Sequence, residues 1–428
     1  MTNDTKLKRF FDMARWEEML EKAFEKRIDA GLLRQLCSPH NRLKLLSVIV
    51  SGRYYIQVPH IARIPKDNGD FREVFVNESI DRIFLSLYND VMFEMYGRLI
   101  HPACKSYQKG LSCAQTVKEI SSQIAQMDND VIGYKVDLSK YFDSVSIEII
   151  DQALDELDSG SPLDQIVREY YHNDYVFDAD NNLVKHYGSL KQGCAFASFL
   201  ANYVLRDVDA EMSKIVPIYV RYSDDIVIIG PKADWAMLCL QTMLERKGLR
   251  LNPNKVEQLH KNQWFTFLGY NIKGSLITFS RKAIKNFQAD IEARTINANC
   301  TTKQAICNVN KYLYEGVLVD DQRYSWASRF LSVCNVWEDI NTLNGFVMDC
   351  IRAVDSGRHQ IGGLGENKQQ SAQIVQRGTG KNVKSNCLYW KEKYGTSHID
   401  GYLSLGMMRN ALQMGRAVYD AILIDALK

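Results

Sequence analysis

Tyr222-Ser223-Asp224-Asp225 places two adjacent carboxylates between two apolar, β-rich runs. Ile218-Tyr219-Val220-Arg221-Tyr222 leads in, and Ile226-Val227-Ile228-Ile229 leads out to Gly230-Pro231. This pattern predicts a β-hairpin in a buried sheet, with the acids at its tip. Adjacent carboxylates repel each other, and a hard divalent cation with oxygen ligands is the usual way to offset them. Well upstream, the apolar run Tyr134-Lys135-Val136 also ends on an acid, Asp137. Three carboxylates on neighbouring strand ends suit two metal ions and phosphoryl transfer. Ser-Asp-Asp is also ordinary turn chemistry, so an exposed turn is the plain alternative for the hairpin taken alone.

The rest of the chain sets bounds. Its 428 residues, 46% of them hydrophobic, can bury a large core and predict two or three subdomains. No apolar run reaches the ~18–20 residues of a membrane span, and Met1-Thr2-Asn3-Asp4 has no secretory pattern. The ten cysteines include no C-x-x-C pair, which argues against a zinc cluster or disulfide framework and predicts a reducing, cytoplasmic setting. The net charge is only +2, but it is unevenly spread. Residues 1–100 carry 16 basic and 14 acidic side chains, residues 101–280 carry 18 and 23, and residues 281–428 carry 19 and 14. An acidic centre between mildly basic flanks fits a metal-binding core with arms for a polyanion; scatter over solvated surfaces is the competing account.

Periodicity orders the elements. The first ~50 residues read as amphipathic helices. Residues 51–75 read as extended, with a turn at Asp67-Asn68-Gly69-Asp70. Helices are predicted over 79–99, after Asp143 with an apolar face of Ile147, Ile150, Leu154 and Leu157, over 195–208, and over 233–247 up to Gly248. Strands are predicted at 133–137, 265–268 and 275–278, and a turn at 178–182. Beyond 281 the pattern is mostly helical, interrupted by a Gly/Gln-rich segment over 357–386.

The order of motifs resembles that of a reverse transcriptase. Arg63-Ile64-Pro65-Lys66 with Gly69 and Arg72 looks like the fingers hairpin, and Asp137 with Phe142 like the first palm motif. Leu190-Lys191-Gln192-Gly193 looks like the second, and Tyr222-Ser223-Asp224-Asp225 like the tyrosine–any–Asp–Asp box. Leu251-Asn252-Pro253-Asn254-Lys255 and Phe267-Leu268-Gly269-Tyr270 follow in family order. Six motifs in order over residues 50–280 are specific where one is not. The hairpin and the Phe-Leu-Gly-Tyr run are similar to bacterial enzymes of the group II intron and retron branch. Ala197-Ser198 departs from the Ser-Pro of intron types and the Ser-Gln of diversity-generating types, and the retron Val-Thr-Gly signature is absent. What remains resembles a stand-alone, defence-associated reverse transcriptase, of the second type by size and domain plan.

The resemblance implies an α+β fold, a right-hand polymerase: fingers over 51–130, a palm with an antiparallel sheet over 131–275 that carries some finger elements, and a helical thumb. The thumb and a C-terminal extension fill 276–428, and a helical N-terminal extension fills 1–50. It implies RNA-templated DNA synthesis from dNTPs with two Mg²⁺ ions, Mn²⁺ being an alternative, on a structured non-coding RNA, in antiphage defence. Asp137, Asp224 and Asp225 are the implied metal ligands, and Phe142 the gate against a ribose 2′-hydroxyl. Lys66 and Arg72 are implied on the triphosphate, and Gln192, Gly193 and Tyr222 beside the nucleotide. Lys255 is implied as the acid that protonates pyrophosphate, and Phe267–Tyr270 as the seat of the primer end. Template-independent or protein-primed DNA synthesis, RNA polymerisation, and a silent RNA-binding scaffold are the alternatives; Phe142 argues against the second. The segment 357–391 carries six Lys/Arg, among them Arg377, Lys381 and Lys384, against one acid, with Tyr389-Trp390 alongside. It reads either as an RNA-binding loop using phosphate contacts and aromatic stacking or as an ordinary surface loop.

Overall fold

The structure is a computed structural model. It describes residues 4–426 except 25, 67–68, 109, 128–132, 187, 320–321, 358, 362–372 and 376–385. Two compact units divide the chain: residues 1–111 with 131–259, and residues 112–130 with 260–428.

The first unit opens with four helices, Thr5–Phe10, Met13–Glu21, Ala30–Leu36 and Pro39–Val50. Asp4, Asp12, Asp29 and Ser38 cap them by accepting from backbone N–H groups of the first turn, the chemistry expected of those residue types there. Phe10 and Trp16 are fully buried, and Phe10 packs on Phe84 of the long helix Ser79–Tyr96. The Lys6 ammonium is also buried, held by Asp164 and the Leu157 carbonyl, so the first helix is tied to the body by charge as well as by apolar contact.

In chain order the first eleven strands are β1 (His60–Pro65), β2 (Phe71–Val76), β3 (Gly133–Asp137), β4 (Tyr175–Phe177), β5 (Leu183–Lys185), β6 (Ile218–Tyr222), β7 (Asp225–Ile229), β8 (Glu257–Leu259), β9 (Phe265–Phe267), β10 (Tyr270–Lys273) and β11 (Leu276–Phe279). The first unit holds two four-stranded sheets, ordered β2-β1-β4-β5 and β6-β7-β3-β8. The second is antiparallel throughout, as a palm sheet should be, and β3 and β7 lie at its centre. The predicted helix after Asp143 spans Ile147–Leu157 and buries Ile150, Ala153, Leu154 and Leu157. The fold class is therefore α+β, with the palm architecture of a right-hand polymerase.

The structure departs from the predicted helix over 195–208. Two helices, Ala197–Tyr203 and Arg206–Ile215, replace it. The break leaves the Ala201 and Asn202 carbonyls free of helical partners, and long-range donors take them: Tyr141 Oη at 2.6 Å from Ala201 O, and the Arg221 guanidinium at 3.4 and 3.2 Å from Ala201 O and Asn202 O.

The second unit is mostly helical, with Arg281–Arg294, Thr302–Asn310, Trp337–Ser356 and Leu405–Met414 as its main helices. The helix Cys113–Ala125 belongs to this unit by contacts. β9, β10 and β11 form its three-stranded antiparallel sheet, and β10 lies where the sequence pattern marked no strand. Trp390 is buried, and its indole N–H donates to the His398 carbonyl at 3.0 Å. That corrects its reading as a stacking surface: it is part of the core. Arg377, Lys381 and Lys384 lie outside the described residues. Among the described residues no helix is long and apolar enough to cross a membrane.

Candidate active site

The palm sheet brings the acids together. β3 and β7 pair antiparallel with Asp137 opposite Asp225, so these side chains share a face of the sheet. β6 and β7 form a hairpin whose closing pair is Tyr222 and Asp225, leaving Ser223 and Asp224 as a two-residue loop. Ser223 sits at φ 61°, a left-handed conformation that such a tight hairpin demands. The Leu138 N–H donates to the Asp224 carbonyl at 3.0 Å, which ties the loop to the end of β3. Beyond β3 the chain pairs with residues 250–252, through Ser139 N–H to Arg250 O and Asn252 N–H to Asp137 O, each at 2.8 Å. That pairing carries Lys255 to the acids, and its Nζ lies 2.7 Å from Asp137 Oδ2.

The electrostatics follow from burial and crowding. Asp225 is pushed up to about 6 by burial and by Asp224 and Asp137, against the pull of Lys135 and Lys255. Asp224 is raised by burial and by Asp137, while Lys255 and Arg72 act in the opposite direction. Among the described residues no three His, Cys, Asp or Glu side chains converge into a ready-made metal cage. Mg²⁺ does not call for one, since it keeps several waters and binds through one or two carboxylates plus substrate phosphates. Three mutually repelling carboxylates on adjacent strand ends, under-compensated by nearby cations, fit a hard divalent ion.

The other sequence-predicted residues surround this rim within the same unit. Arg72, on β2, is close enough for its charge to act on Asp224, and Lys66 acts on Asp143. Both cations are exposed. Phe142 is half-buried, edge-on to the buried Tyr141, and its carbonyl accepts from Leu190 N–H at 3.1 Å. The Gln192 carbonyl accepts from Phe75 N–H of β2 at 2.7 Å. Gly193 lies at φ 105°, and a Cβ there would come within 2.6 Å of Val74 Cγ1 and Phe75 O. Only glycine allows this approach of the Gln192-Gly193 loop to β2. The helix expected from Ala195 begins at Ala197, with Phe196 and Ala197 buried.

Sequence reasoning passed over three groups here. Lys191 is buried, its ammonium 4.5 Å from the Tyr170 ring centre and bonded to Asn173 O at 2.7 Å, with its pKa pulled down to about 8 by burial. Arg221 and Asp209 form a fully buried ion pair, Nε to Oδ1 at 2.7 Å and Nη2 to Oδ2 at 2.6 Å. Ser106 Oγ accepts from the Ser223 N–H at 2.9 Å. A charged residue inside the apolar run Ile218–Tyr222 was the one local signal of the second of these. In the second unit, Phe267 and Tyr270 are buried, so only the Leu268-Gly269 turn of that motif is left to meet a ligand.

Residues 64–272 match the family model described as reverse transcriptase (RNA-dependent DNA polymerase). The chain thus carries a reverse transcriptase domain, the domain of an RNA-directed DNA polymerase. Among solved structures, it is similar to the telomerase from Candida albicans in complex with a TWJ fragment of telomeric RNA, at 13% identity and a TM-score of 0.43. That similarity covers 74% of this chain and 58% of the telomerase chain, so the chain spans less than two thirds of that protein's length. No curated protein matches the chain.

Proposed function

We propose that this chain makes DNA from dNTPs on an RNA template by metal-dependent phosphoryl transfer. The observation that carries the proposal is Asp137 facing Asp225 across β3 and β7, with Asp224 in the adjoining loop. Asp137, Asp224 and Asp225 would hold two Mg²⁺ ions, or Mn²⁺. Bound there, the metal lowers the pKa of the primer 3′-hydroxyl and neutralises charge on the leaving pyrophosphate. Lys66 and Arg72 clamp the triphosphate, Arg72 as a fork and Lys66 as a point charge. Tyr222, Gln192 and Gly193 flank the nucleotide. Lys255, whose Nζ bonds Asp137 Oδ2, would donate a proton to pyrophosphate.

Phe142 sets the sugar. Its ring is half-buried, edge-on to Tyr141, and a phenyl edge offers a 2′-hydroxyl neither room nor a hydrogen-bond partner. Phe142→Ala is expected to raise NTP use relative to dNTP by about ten- to a hundredfold, read as the ratio of the two kcat/KM values. An unchanged ratio in an active variant would make Phe142 a core residue only.

The template we infer is a dedicated, structured non-coding RNA, and the setting is cytoplasmic antiphage defence; both rest on the resemblance of the motifs to defence-associated enzymes. Sequencing the nucleic acid that co-purifies with the chain tests the first: one enriched RNA species supports it, and a random transcript population contradicts it. The cations of 357–391 are assigned to that RNA. Changing Arg377, Lys381 and Lys384 together to Gln should flatten the slope of log affinity against log salt by about two to three units. Extension of a short pre-annealed primer–template should persist. A slope equal to wild type would make the segment an ordinary surface loop.

A further inference from the structure

Ser223 carries the turn that aims Asp224, and it does so in a conformation that costs a non-glycine residue free energy. Such a conformation persists only where its surroundings hold it. Four side chains beneath the hairpin do so. The Ser223 N–H donates to Ser106 Oγ at 2.9 Å, and its carbonyl accepts from Arg221 Nη1 at 3.1 Å. Ser106 Oγ donates in turn to Asn202 Oδ1 at 2.8 Å, while Asn202 Nδ2 donates to Ser106 O at 2.7 Å. Asp209 fixes the Arg221 guanidinium through both its oxygens and also accepts from Tyr219 Oη at 3.0 Å. Ser106, Asn202, Asp209 and Arg221 are all fully buried. Backbone bonds lock the same segments: Arg221 N–H to Ala103 O at 2.9 Å and Lys105 N–H to Arg221 O at 2.8 Å.

The hub also reaches the other motifs. Arg221 holds the Ala201 and Asn202 carbonyls at the end of the helix that follows Gln192-Gly193. Tyr141, next to the proposed gate Phe142, bonds the same Ala201 carbonyl. Three segments that would meet the nucleotide therefore hang on one buried polar network, in which every displaced group would leave a partner unsatisfied. None of these four side chains belongs to the acidic rim.

We propose that Ser106, Asn202, Asp209 and Arg221 are positioning residues. They hold the left-handed turn at Ser223 and thereby set the Asp224 carboxylate relative to Asp137. The inference rests on the polymerase reading of Asp224 for its kinetic consequence, but its structural content is measured separately.

The test uses the full chain and two variants. In Ser106→Ala the kcat for dNTP incorporation should fall about a hundredfold, the cost of a carboxylate misplaced by about an ångström, with the KM for dNTP little changed. Amide exchange over residues 222–225 should rise in the same variant. Adding Ser223→Gly to Ser106→Ala should restore at least about tenfold of the loss, because glycine enters the left-handed region without a Cβ penalty. A residue that merely packs would not be rescued this way. Wild-type kcat and exchange in Ser106→Ala would overturn the proposal, as would a loss that Ser223→Gly leaves untouched. If the wild-type chain incorporates no nucleotide, the polymerase reading fails, and the exchange result alone decides the hub.

Discussion

Changing Asp224 and Asp225 together to alanine is expected to reduce dNTP incorporation by about a thousandfold or more, while the protein stays folded. The magnitude follows from the role. Metal ions held at a phosphoryl-transfer site stabilise transition-state charge by several kcal/mol, and each 1.36 kcal/mol is a factor of ten in rate. Folding should survive because neither side chain supports the core. Both are partly exposed at the loop end of the β6–β7 hairpin, and the buried Ile226, Val227 and Ile228 behind them are untouched. Extension of a radiolabelled primer, normalised to folded protein by circular dichroism, measures the effect. A folded double variant that extends at the wild-type rate would remove these acids from the mechanism.

The second large effect is on stability, and it runs the other way. In metal-free protein Asp225→Asn should be more stable than wild type by about 2–3 kcal/mol at pH 7.5, since 1.36 kcal/mol corresponds to each pKa unit and partial solvent access trims the total. Burial and the two neighbouring acids push Asp225 from 3.8 up to about 6, so the folded state binds its proton more tightly than the unfolded chain does. Between about pH 4 and 6 the folded state therefore holds more protons, and wild-type stability falls as pH rises through that window. Above 6 the folded protein bears the full cost of the third charge; below 4 both states are protonated and the advantage of Asn disappears. Urea unfolding in EDTA across this range measures it. Added Mg²⁺ or Mn²⁺ should narrow the gap at pH 7.5, because the ion stabilises wild type through the charge that Asn lacks. Equal stability at every pH would mean that burial and the two neighbouring acids do not raise Asp225 in the folded protein.

This stored repulsion explains which parts of the site were legible in the sequence. An acid that ends an apolar strand violates the local pattern, and Asp137, Asp224 and Asp225 each did so. The ordered motifs then placed Phe142, Lys66, Arg72 and Lys255 near them, and the structure groups all of these in its first unit. The hub beneath the turn was not legible in the same way. Ser106 and Asn202 are ordinary polar residues in sequence, and their bonds to Ser223 and to each other span long chain separations that no periodicity encodes. Arg221 did break the apolar pattern of its strand, but Asp209 lies in the helix Arg206–Ile215, just beyond the helix predicted over 195–208. The single helix predicted over 195–208 failed for the same reason. Local propensity favours one helix, and the carbonyls taken by Tyr141 and Arg221 favour two. Trp390 misled in the opposite direction: adjacency to a basic, glycine-rich stretch made it look like a stacking surface, and its indole bond to His398 O places it in the core.

The most direct test of the central claim is programmed copying. The purified chain is given a DNA primer on an RNA template of designed sequence, with dNTPs and Mg²⁺, and then the same primer on a template whose copied region is permuted; both products are sequenced. The account predicts that each product is the complement of its own template and that omitting the template stops synthesis. Products of the same sequence on both templates, or undiminished synthesis with none, would contradict it and leave template-independent polymerisation in its place.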